Sequence, residues 1–77
     1  MEITTTEFRK ISDEIRIAFL NPKKQKREII IKPILIDILK KYNDSDNLVK
    51  KIFVNVELDK PELLKIWEVV KNEHTGN

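Results

Sequence analysis

The chain has no cysteine, which removes disulfide frameworks, thiolate metal sites and cysteine nucleophiles from consideration. Its single glycine is Gly76, one residue from the end. Phosphate-cradling loops need glycines that let backbone N–H groups approach the anion, so P-loop and dinucleotide-binding architectures are excluded. The single histidine, His74, lies in the tail "NEHTGN", which offers it neither an orienting partner nor a pocket for general-base work. No Ser-His-Asp or Cys-His arrangement can be assembled. No apolar run approaches the roughly 18–20 residues of a membrane span, and the opening "MEITTTEFRK" is polar where a signal peptide is basic and then apolar. These absences lead to the expectation of a non-enzymatic intracellular protein, cytoplasmic by default, with no cofactor, no metal and no membrane partner.

What is present is a chain that is 40% hydrophobic and 36% charged with a net charge of +2, the composition of an ordered globule. One small domain over residues 1–77 is expected, with 73–77 a fraying tail. A chain this short buries only roughly 60% of its unfolded surface, and its fold is worth roughly 4–12 kcal/mol in total. Homodimerisation is a common remedy at this size.

In "TTTEFRKISDEIRIAFLNP", Thr4 and Glu7 form a capping box ahead of Phe8, Ile11, Ile15, Ala18 and Phe19 at helical spacing. Asn21-Pro22 stops that helix. In "EIIIKPILIDILKKYN", a helix running through Pro33 loses a hydrogen bond and meets a steric clash at a cost of ~3 kcal/mol, so the pattern predicts a strand at 28–32 and a helix from Pro33 to Tyr42. "NDSDN" reads as a turn. In "KKIFVNVEL", Ile52, Val54, Val56 and Leu58 alternate with polar residues, the period of a half-exposed strand that only Phe53 breaks. A last helix starts at Asp59 or Lys60, with Pro61 in its first turn and Leu63, Leu64, Ile66, Trp67 and Val70 on one face. The sum is an α+β domain of order helix, strand, helix, strand, helix, its small sheet covered by helices, with a further short strand conceivable at "MEIT". The competitor is an all-α bundle in which residues 46–57 are helical.

Asp44 and Asp46 alternate as in a calcium loop, yet Val49 falls where that loop needs glycine and Asn55 where it needs glutamate, so turn formation is their simpler role. "ILIDILKKYNDSDNLVKKIF" lacks the small residue and glycine that close a helix-turn-helix.

The feature above background is "NPKKQKREIIIK", where Lys23, Lys24, Lys26, Arg27 and Lys32 concentrate positive charge. Such a run fits non-specific contact with nucleic-acid phosphates, and equally a solubilising connector that guards a hydrophobic strand. Phe53 and Trp67 are the interface candidates. Trp67 is more simply a core anchor, and Phe53 either packs under an unplaced element or marks an exposed patch.

The opening "MEITTTEFRKISDEI" resembles the start of Phd/YefM-type antitoxins, in which a short strand and a threonine-capped helix begin a DNA-binding dimer domain. The resemblance covers residues 1–15, and the remainder departs from it, with no glycine-containing turn between strands. No residue role or function is carried over from it. The leading expectation is a small regulatory module contacting nucleic-acid phosphates through the basic loop. The alternative is a protein-interaction adaptor or inhibitor docking through a strand edge or an apolar helix face.

Overall fold

The computed structural model describes residues 2–75. Among them there is no strand. The chain forms four helices, α1 (Thr5–Ala18), α2 (Lys24–Lys41), α3 (Ser45–Val56) and α4 (Lys60–Thr75), and the α+β expectation is corrected to all-α. Helix α2 packs against α1, α3 and α4, and α3 against α1 and α4, while α1 and α4 do not meet. The Cα extents are 33 × 32 × 17 Å. Helix axes pack ~8–10 Å apart, so the thin direction holds two helix layers with one sheet of core side chains between them.

Helix α1 forms as its sequence predicts. The Thr4 side chain accepts from the Glu7 N–H at 3.1 Å, and Ile11, Ile15 and Ala18 are buried one turn apart. The opening residues 2–4 are not a strand, and Met1 lies outside the described residues.

Two segments depart from expectation, each for a physical reason. The predicted strand at 28–32 and the helix from Pro33 are one helix, α2, which begins at Lys24 and passes through Pro33. Lys, Gln, Arg and Glu are good helix formers, so "KQKRE" starts the helix and does not connect two elements. Ile31, Leu35 and Ile38 are buried at helical spacing, whereas Ile29 is 72% exposed. Pro33 leaves the Ile29 carbonyl without its helical donor, and both residues face solvent, where water can serve that carbonyl. Replacing Pro33 by Ala is therefore expected to stabilise the fold by about 1–2 kcal/mol, the helix gain less the lost rigidity of the unfolded chain. An unchanged or lowered urea midpoint would contradict this.

The second departure is α3. Its buried residues are Val49, Ile52, Phe53 and Val56, the i, i+3, i+4, i+7 set of a helix. Phe53, the residue that spoiled the alternating pattern, is 2% exposed, and Val54, assigned inward by that pattern, is 58% exposed. Both ends of α3 are set without glycine, since Asp44 (φ 53°) and Glu57 (φ 58°) take left-handed conformations. Of the tail expected to fray, residues 73–75 continue α4, and 76–77, which include Gly76, lie outside the described residues.

Candidate functional site

Three polar clusters fix how the helices stand, and they account for several residues that the sequence marked for binding. The first is built on Arg27. Its Nε and Nη2 donate to Glu62 Oε2 and Oε1, both at 2.7 Å, its Nη1 donates to the Asn21 carbonyl at 2.9 Å, and its guanidinium lies 5.3 Å from the Phe19 ring centroid. One side chain thereby ties the end of α1 and the start of α2 to the first turn of α4. Within the Glu62 carboxyl the hydrogen bonds from Arg27 outweigh the opposing effect of burial, and its pKa is lowered, while that of Arg27 is raised by the same bonds.

The second cluster joins α3 to α4. Trp67 Nε1–H donates to Asp46 Oδ1 at 2.7 Å, Lys71 Nζ reaches the same oxygen at 3.0 Å, and Lys50 Nζ lies 3.0 Å from Oδ2. The Trp67 hydrogen bond, then those from Lys71 and Lys50, hold the Asp46 carboxyl well below the usual carboxylate range. Asp46, half of the superficial calcium-loop pattern, is thus used by its neighbours, and Asp44 opens α3. The third cluster joins α1 to α3. Asn55 Nδ2 donates to Ser12 Oγ at 3.0 Å, Ser12 Oγ donates to the Phe8 carbonyl at 2.9 Å, and Arg16 Nη2 donates to the Asn55 carbonyl at 2.6 Å.

A consequence concerns acid. Glu62 and Asp46 have folded pKa values below their unfolded ones, so each contributes stability that is complete above the unfolded carboxylate value near ~4 and lost as pH falls through the folded value. The thermal midpoint is expected to fall steeply below about pH 4. Glu62→Gln should be less stable at pH 7 and show a shallower acid limb, and parallel curves for variant and wild type would contradict the role given to this pair.

The five cations of the basic run do not form one surface. Lys23 precedes the first turn of α2, with Lys24 and Lys26 exposed in that turn. Arg27 is turned inward to Glu62, and Lys32 lies 3.4 Å from Glu73 of α4. Trp67 is fully buried in the core. His74 stands exposed in the last turn of α4, and among the described residues no group of three potential metal ligands gathers. No helix among them is long and apolar enough to cross a membrane.

What the alternating-strand reading concealed is a groove between α3 and α4. The two helices are joined by residues 57–59 and hold a concavity of about 200 Å³ lined by Phe53, Val54 and Leu64, with Lys50 and Lys60 also at its wall. Phe53 forms its floor and belongs to the core, while Val54 and Leu64 are exposed. Small-molecule sites run to ~300–1,000 Å³, so this groove matches one or two apolar side chains better than a cofactor. The other two concavities described differ in character. One is lined by Glu2, Asn43, Asp44, Asn47 and Lys51 with Ile3, Tyr42 and Leu48, the other by acids and lysines of α1 and α2 around Ile11 and Ile34.

No protein-family model matches the chain, and neither a curated protein nor a solved structure matches it at a significant level.

Proposed function

We propose that the chain is a small non-enzymatic protein-interaction module, an adaptor or inhibitor of the cell interior that docks a partner protein on the apolar face shared by α3 and α4. The observation that carries this reading is the groove of Val54 and Leu64 over Phe53. An apolar concavity left open in a chain with so little core to spare is a cost to stability unless a partner fills it. Arg27 and Lys32 being engaged within the chain weakens the case for a phosphate-binding loop and moves the weight to this surface. To test it, the full chain is used as bait in its source cells alongside Val54→Asp and Ile29→Asp, two exposed positions on different faces. A protein retained by the wild type and by Ile29→Asp but lost with Val54→Asp supports the reading. Retention indifferent to Val54→Asp, or no retained protein, contradicts it.

One observation favours a second reading. The first turn of α2 has no acidic residue and no side-chain cap, yet Lys23, Lys24 and Lys26 crowd its positive end, where a cation is unfavourable by ~0.3–1 kcal/mol. Contact with nucleic-acid phosphates would offset that cost. Three neutralised phosphates give a log–log salt slope near ~−2.7, about a fortyfold loss of affinity between 50 and 200 mM salt. In a titration of duplex DNA and RNA, the triple Gln variant at these positions should lose the binding. Equal binding by both proteins, or none by either, sinks this reading.

A further inference from the structure

The groove between α3 and α4 has a chemical sign as well as a shape. Its apolar walls, Val54 and Leu64, come from different helices, and a lysine stands one turn before each, Lys50 before Val54 and Lys60 before Leu64. Lys51 stands three residues before Val54 on the same outward face. Among the described residues, neither Lys51 nor Lys60 forms an ion pair. The acids nearby are largely occupied, Asp46 by Trp67, Lys71 and Lys50, and Glu68 by Lys71 at 2.9 Å. Glu57, at the C-terminal end of α3, and Asp59, whose Oδ1 accepts from the Glu62 N–H at 3.3 Å, are the exceptions.

We infer that the occupant of this groove is an acidic segment of another protein, one that places a large apolar side chain between Val54 and Leu64 and carries Asp or Glu on both flanks to meet Lys51 and Lys60, since Lys50 is already engaged by Asp46. The inference rests on the interaction-module reading and adds the partner's chemistry to it. Charge complementarity is what selects this occupant. A second copy of the chain docked groove to groove across a two-fold axis would bring lysine against lysine, which disfavours a homodimer through this face. A lipid surface also suits cations around apolar residues, but a bilayer meets protruding apolar side chains, and here the apolar floor is recessed.

The test is a display library of short random peptides panned on the full chain at low salt. Enriched peptides are then measured against Val54→Asp, Leu64→Asp and the double reversal Lys51→Glu/Lys60→Glu, which leaves the Asp46 cluster intact, each confirmed as folded by circular dichroism. Both Asp positions are exposed, so if one variant fails to fold the other serves. The expected peptides pair a large apolar residue with Asp or Glu within one turn, lose binding to the Asp variants, and bind the charge-reversed chain about tenfold more weakly. Peptides that depend on the groove but show no acidic bias, or that bind the charge-reversed chain equally well, overturn the inference and leave the interaction reading standing. No enrichment, or peptides indifferent to both Asp variants, overturns both. Phosphatidylserine vesicles form a control arm, and vesicle binding lost with Leu64→Asp would assign the surface to membrane and overturn the inference.

Discussion

Trp67→Ala is expected to remove about 3–5 kcal/mol of stability, the cost of emptying a fully buried aromatic site. Set against the roughly 4–12 kcal/mol available to a chain of this length, that leaves the fold marginal or lost at 37 °C. The indole does two things here. It fills the core between α3 and α4, and its N–H is the shortest of the contacts that hold Asp46 ionised. Removing it opens a cavity and leaves Asp46 with its two lysines. Trp67→Phe separates these roles, since it keeps most of the buried ring and drops the donor, and it is expected to cost about 1–2 kcal/mol. Because Trp67 is the single tryptophan, the comparison has to be made by circular dichroism. A thermal midpoint within a few degrees of wild type for Trp67→Ala would show that this residue does not anchor the core.

Phe53→Asp is the second change with a large expected effect. It places an unpaired carboxylate at a 2% exposed position on the inner face of α3, several kcal/mol of uncompensated desolvation, and the chain should not fold at neutral pH. The informative partner is the next residue. Val54→Asp lies on the outer face and should shift stability by no more than about 0.5 kcal/mol. A strand over these residues inverts the pair, with Val54→Asp ruinous and Phe53→Asp mild. Circular dichroism melts of the two variants therefore report the phase of the element as well as its burial.

That inversion shows how much was legible in the sequence. Helix α1 was readable in its start and its buried face, because the Thr4 cap and the apolar spacing agree, but it stops at Ala18, ahead of Asn21-Pro22. Except at Leu64, expected on the apolar face with Leu63, Ile66, Trp67 and Val70 but exposed, helix α4 was readable from Pro61 and that face. The middle was not, for two separable reasons. Pro33 is a strong local signal against a helix, but a local cost of about 3 kcal/mol is outweighed when Ile31, Leu35 and Ile38 all reach the core only in helical register. In α3, Ile52, Val54 and Val56 imitate a period of two, whereas Val49, Ile52, Phe53 and Val56 carry the period that folding uses. The helical period is legible over the longer stretch from Leu48 to Val56, where Phe53 belongs to the pattern and does not break it.

The missing glycines compounded the problem, because the ends of α3 are set by Asp44 and Glu57 in left-handed conformations that sequence does not advertise. For the site, the basic run was visible as charge, but not the fate of that charge. Arg27 meets Glu62, 35 positions away, and no local pattern announces such a pair. The groove is hidden by the same residues that imitate a strand, because an alternating pattern turns Val54 inward and so removes an exposed apolar wall.

The absence of native cysteine makes one measurement decisive, since a single introduced thiol is the only one in the molecule. Val54→Cys and Phe53→Cys are labelled separately with a thiol reagent under native conditions, and each rate is compared with that of the same variant in urea. A helical α3 bearing an open groove requires Val54→Cys to react at close to its unfolded rate and Phe53→Cys to be strongly protected. Protection of Val54→Cys with free reaction of Phe53→Cys would contradict the helix, the groove and the docking surface together.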